Sequence, residues 1–166
     1  QRISQTVINR NHKKDNHSLE LEYLKIELQN DVNNISNEEP LELMLTFKRN
    51  NSKIKQCQFG IAINNACGEE IGVNFSQIAM LPEKGNVFKA FIKFENHQLA
   101  KGEYSMVFSL CQNDRIAGER TYDVVRDLIS FEVKYIDKDH LEPFLNWPKN
   151  CSISYKPSPV KLEILE

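Results

Sequence analysis

Apolar and polar residues alternate one for one along much of the chain. Leu41, Leu43, Leu45 and Phe47 fall on one side of an extended backbone, with Glu42, Met44, Thr46 and Lys48 on the other. A period of two marks a strand with one face buried. The same rule picks out Cys57, Phe59, Ile61 and Ile63; Phe88, Ala90, Ile92 and Phe94; Tyr104, Met106, Phe108 and Leu110; and Ile129, Phe131, Val133 and Tyr135. Leu19 and Leu21 run out of phase with Leu24, Ile26 and Leu28. That phase break predicts a bulge or crossover near Glu22 and Tyr23, where the inward face switches. Shorter extended stretches are expected at 70–75 and 115–125.

Polar or Gly-bearing turns separate these segments at Asn50-Asn51, 64–68, 82–86, Lys101-Gly102 and 112–114. Helix has room only as a short turn at 138–145. Seven or eight strands with no helix-length amphipathic segment between them predict an all-β, immunoglobulin-like antiparallel β-sandwich.

The two ends read differently. Residues 1–18 are polar and patternless, as expected of a linker from an upstream domain, so the sandwich is placed at 19–136 and a tail at 137–166. In the tail, Trp147-Pro148 and Pro157-Ser158-Pro159 interrupt regular structure. Val160, Leu162 and Ile164 then alternate with Lys161, Glu163 and Leu165 as a final strand. A strand on a stiff tether seeks a sheet edge, either its own domain's or that of a second copy of the chain.

Composition narrows the function. The chain has 166 residues, 40% of them hydrophobic. At that size about 70% of the unfolded surface can be buried without a disulfide or metal staple. Cys57, Cys67, Cys111 and Cys151 include no Cys-x-x-Cys and no neighbouring His. They are read as free thiols in a reducing compartment, with one bridge, Cys57 to Cys111, as the alternative. Lys and Arg total 21 against 23 Asp and Glu. No positive excess exists to neutralise phosphates, which argues against nucleic acid and anionic membrane surfaces. No apolar run approaches the ~20 residues of a membrane-spanning helix. A start at Gln1 without a basic-then-apolar leader is expected of a piece of a longer protein.

No phosphate loop, nucleophile elbow or metalloprotease helix occurs, so the domain is read as non-catalytic, without metal or cofactor of its own. His12, His17, His97 and His140 are expected on the surface. Asp123, Arg126 and Asp127, like Asp114 and Arg115, are expected as turn residues and surface ion pairs.

The informative positions face outward. Gly60, Ala62 and Asn64 on one strand, and Ser105, Val107, Ser109 and Cys111 on another, are small where a solvated sheet normally carries long charged chains. As neighbours they would floor a groove rimmed by Asn64, Asn74, Ser76, Gln77, Arg120, Tyr122 and Asp123. Amide and guanidinium forks that bridge hydroxyls, with an aromatic ring against a C–H face, suit a sugar. Tyr122, Phe91 and Trp147 are the candidate rings. Alternatively, a loop or partner subunit covers the small residues and Trp147 plugs the tail.

The run Phe59-Gly60-Ile61-Ala62-Ile63-Asn64, then Gly68 and Ile71-Gly72-Val73-Asn74, resembles the FGI-x-I … G … G-x-N stretch of the C-terminal domain of Wzt-type ABC transporters. Leu99, Gly102, Glu103 and Tyr104 resemble that family's L-x-x-G-x-Y strand entry, and 127–133 its closing strand. The likeness covers roughly 19–136 and leaves 137–158 unexplained.

The resemblance implies a carbohydrate-binding domain of the transporter's ATP-binding subunit, reading the non-reducing end of an O-antigen polysaccharide to select it for export. It implies ATP and Mg only in an upstream domain, which would reach a transmembrane permease at the cytoplasmic face of the inner membrane. It also implies a homodimer that exchanges the strand bearing Val160, Leu162 and Ile164. Two other classes stand beside it: a protein–protein interaction or dimerisation sandwich, and an accessory domain of a glycan-modifying enzyme.

Overall fold

A computed structural model describes residues 2–8, 17–36, 38–95, 97, 99–112, 120–134 and 159–165. Among them every regular element is a strand: β1 (Gln5–Val7), β2 (Leu21–Leu28), β3 (Ile35–Ser36), β4 (Leu41–Arg49), β5 (Gln56–Asn65), β6 (Glu70–Phe75), β7 (Ala79–Met80), β8 (Val87–Phe94), β9 (Gly102–Cys111), β10 (Thr121–Lys134) and β11 (Val160–Leu165). One sheet has the order β1-β2-β4-β8-β11, the other β3-β10-β9-β5-β6, with β7 paired to β5. Every pairing is antiparallel except that of β3 with β10.

The alternating residues meet between the sheets. Leu43, Leu45, Phe47, Phe88 and Ile92 come from one side, and Phe59, Ile61, Phe108, Leu110 and Phe131 from the other, all buried in one core. Phe47 and Phe59 meet edge to face with centroids 5.3 Å apart, as do Tyr23 and Phe108 at 6.3 Å. These contacts bring the quadrupole preference of aromatic pairs to bear across the sheet–sheet gap. A polar bolt accompanies them. The Tyr23 backbone N–H donates to Asp123 Oδ2 at 2.8 Å, and the Tyr23 hydroxyl donates to the Ser109 carbonyl at 3.0 Å. Burial, then the Asp123 charge, raises the Tyr23 phenol well above its ordinary range, so it remains a neutral donor.

Where the alternation breaks, the ladder bulges. The β2–β4 register shifts between Tyr23 and Lys25, leaving Leu24 as the extra, half-buried residue at the expected phase break. The stretch expected to end at Val125 and the strand expected around Ile129 form one strand of 14 residues. Its register against β9 shifts between Arg126 and Ile129, where Asp127 takes a φ of 54°. The bulge resets the phase, so one strand reads as two. The two-residue strands β3 and β7 are too short to show a period. Tyr135, the expected turn at 138–145, Asp114, Arg115, His12, His140, Trp147 and Cys151 lie outside the described residues.

Two expectations are corrected. His97 is not a surface residue: it is 1% exposed. Its Nδ1 accepts from the Leu99 N–H at 3.0 Å, which leaves Nε2–H to donate to the Ser36 carbonyl at 3.1 Å. A neutral ring thus satisfies two backbone groups, and burial lowers its pKa from 6.5. Nor is Asp123 at the surface, since it is fully buried beneath Tyr23. Cys57 and Cys111 are buried, Cys67 is exposed, and all three are free thiols.

Both ends of the chain join the first sheet. β1 pairs with β2, while the Ile3 backbone exchanges 3.1 Å bonds with Ser130 of the second sheet. Arg2 bridges Glu103 at 2.6 Å and Glu132 at 2.9 Å. Those two carboxylates stand directly opposite each other across β9 and β10 and would otherwise repel. β11 runs antiparallel to β8 of its own chain, from Val160 opposite Ile92 to Leu165 opposite Val87. Val160 and Leu162 pack on the core, and Ile164 covers Gly85, where an added Cβ would fall 2.8 Å from its Cγ2.

Candidate functional site

β5 and β9 are neighbours, and their register sets Gly60 opposite Ser109, Ala62 opposite Val107, and Asn64 opposite Ser105. Opposed residues share a face. Because Phe59, Ile61, Met106 and Phe108 fill the core, this row set points outward. The flanking strands extend it. Phe75 and Val73 on β6 stand beside Gly60 and Ala62, while Val124, Arg126 and Ser130 on β10 stand beside Ser109, Val107 and Ser105.

Side chains are short over the two central strands, while Phe75 on β6 and Arg126 on β10 rise on either side to make a shallow trough. The trough spans three strand spacings, about 14 Å. Ala62 is 7% and Val107 9% exposed. Gly60 is required by close approach. A Cβ there would lie 2.3 Å from Ser109 Oγ and 2.8 Å from Phe75 Cε1, so only glycine lets the Phe75 ring lean across β5. The Ser109 hydroxyl donates to the Gly60 carbonyl at 3.4 Å. Chemically the trough offers one ring, an aliphatic floor, and hydroxyl, amide and guanidinium groups at its margins.

Of the residues expected at the rim or floor, Gly60, Ala62, Asn64, Ser105 and Ser109 come together here. Gln77 is exposed just beyond β6. Ser76 is 2% exposed and already engaged: its hydroxyl accepts from the Phe59 N–H at 3.0 Å and donates to the Gln77 carbonyl at 2.7 Å. Asn74 stands opposite Ile61 and so faces the interior. Tyr122 is the extra residue at a shift in the β9–β10 register and packs into the core, next to Asp123. Arg120 is exposed and paired with Glu20 at 2.8 Å.

Sequence reasoning missed Phe75, Val73 and Arg126. The alternation of Val73 and Phe75 signalled one shared face, but only the register shows which. Of the ring candidates, Tyr122 is in the core, and Phe91 stands on the outer face of the other sheet, between Met44 and Lys161. Among the described residues, no group of three or more His, Cys, Asp or Glu is placed to hold a metal ion. The described residues hold no helix long and apolar enough to cross a membrane. Burial, with Cys111 nearby, pushes the Cys57 thiol far above its usual range, which leaves it inert as a nucleophile.

Comparison with known proteins agrees with this architecture. No curated protein matches the sequence. The crystal structure of the C-terminal domain of Wzt has a similar fold, with a TM-score of 0.51 at 14% identity, covering 69% of this chain and 74% of that one. Residues 11–143 match the Wzt C-terminal domain family. The chain belongs to that family, whose members are non-catalytic C-terminal domains of ABC-transporter subunits.

Proposed function

We propose that this domain recognises the non-reducing end of an O-antigen polysaccharide and selects the finished chain for export. The observation that carries this reading is the trough, a low floor of Gly60, Ala62, Val107 and Ser109 between Phe75 on β6 and Arg126 on β10. Phe75 serves as the stacking ring, and Asn64, Ser105, Ser109 and Arg126 supply hydrogen bonds around it. Gln77 and Arg120 extend the polar rim. In this reading the domain is carried by an ATP-binding subunit, with ATP and Mg in the upstream domain. It works at the cytoplasmic side of the inner membrane, beside a transmembrane permease.

Binding is weak and rigid-body, in the micromolar range or above (~10⁻⁶ M or weaker). Each sugar–protein hydrogen bond replaces one to water, and a shallow face buries little apolar area. The same reading makes the protein a homodimer in which β11 lies on the β8 edge of the second copy. The register with β8 seen within one chain would serve equally between two.

The test is titration of the domain with O-polysaccharide released from the source bacterium's lipopolysaccharide, followed by amide chemical shifts. Shifts centred on residues 60–64, 73–75 and 105–109 are expected, and no shift there sinks the site. The aliphatic quality of Val73, Ala62 and Val107 also favours a second reading, a face covered by another protein. A partner retained in the absence of glycan would favour it.

A further inference from the structure

The outer face of the first sheet carries long charged chains, including Lys25, Glu42, Lys89 and Lys93, but Met44 and Phe91 interrupt them as register partners. Beside Phe91 lies a cleft of about 520 Å³. That volume falls within the roughly 300–1,000 Å³ of small-ligand sites. Gln29, Glu42, Phe91, Lys93, Pro159 and Lys161 are among the residues that line it. Each lysine of the cleft stands beside a carboxylate: Lys93 Nζ lies 3.7 Å from Glu42 Oε1 and 3.2 Å from Glu95 Oε1, and Lys161 Nζ 3.5 Å from Glu163 Oε1. An ionic ligand would compete with these pairs. An uncharged one with many hydroxyls can use their remaining donors and acceptors while an apolar C–H face rests on the ring.

We infer that this cleft is a second saccharide subsite, taking an uncharged sugar residue against Phe91, and that β11 completes it. The inference rests on the glycan-binding reading above. It adds a consequence for regulation. Pro159 and Lys161 belong to the C-terminal segment, so a bound sugar holds β11 onto β8. By linkage, docking of β11 strengthens sugar binding by the same factor. If β11 comes from a second copy, the subsite is composite and glycan occupancy favours the dimer.

The experiment titrates the full 166-residue chain with the released, delipidated O-polysaccharide, comparing wild type with Phe91→Ala, Phe91→Leu and Phe91→Tyr. Both ring-deleting variants are expected to bind about tenfold more weakly, and Phe91→Tyr within about twofold of wild type. Phe91→Leu keeps the apolar bulk should the alanine variant fold poorly. In wild type, saccharide C–H protons move upfield on binding, and Phe91→Leu loses the part of that ring-current shift that Phe91 causes while the part from Phe75 in the trough remains. Wild-type affinity and unchanged sugar shifts in Phe91→Leu overturn the subsite while the glycan-binding reading stands. A wild-type chain that binds no O-polysaccharide overturns that reading and the subsite with it.

Discussion

The outer faces of the two sheets obey the same alternation and are built from opposite materials. On the first sheet Lys25, Thr46, Lys89 and Glu163 form one row across four strands, three long charged chains around a Thr46 that is 8% exposed. On the second, the corresponding row is Val73, Ala62, Val107 and Arg126, three short aliphatic residues and one charge at the margin. The inward faces of both sheets supply the apolar core, so folding does not demand the difference. An outward position is free to be polar, and a run of them that is not marks a surface shaped for contact.

The sharpest way to break this contrast is to build up the floor. Gly60→Leu drives a side chain into Ser109 and Phe75 and is expected to destabilise the domain by about 3 kcal/mol, read by urea unfolding. A loss below ~0.5 kcal/mol would show that the Phe75 ring is not packed over β5. Next is the bolt beneath the trough. Asp123→Ala removes the acceptor of the Tyr23 N–H and is expected to cost about 2 kcal/mol, with both sheets loosened in hydrogen exchange.

A third test uses pH, since neither outer face holds the buried histidine. The folded pKa of His97 is lowered from 6.5 by burial. The unfolded chain therefore takes up its proton first as pH falls, and His97's contribution is fully present above 6.5 and lost downward from there to the folded pKa. His97→Asn should flatten that part of the stability–pH curve, and an unchanged slope would assign it to other groups. The smallest effects belong to the charged surface. Lys89→Ala should change stability by less than ~0.5 kcal/mol. Arg2→Ala should cost under about 1 kcal/mol, and less at high salt, because its carboxylate partners are solvated.

The alternating pattern made the strands, their inward residues and the sandwich class legible, because burial of one face imposes its period locally on every strand. It also located the outward small residues of β5 and β9. Rim assignments fared differently. Asn74 and Asp123 are polar residues in polar-looking stretches, yet register and a bulge turn them inward. Phe75 is an aromatic residue that its register partner Gly60 places on the outer face.

Local sequence thus determined which residues of each strand share a face, since side-chain direction follows from the two-residue period alone. Tertiary structure decided which faces adjoin, that a bulge joins two apparent strands into β10, that a buried histidine bonds the Ser36 carbonyl and the Leu99 amide, and that β11 fits the β8 edge. Those depend on pairings between residues tens of positions apart. No local pattern encodes them, because a one-residue slip preserves the alternation while exchanging the faces.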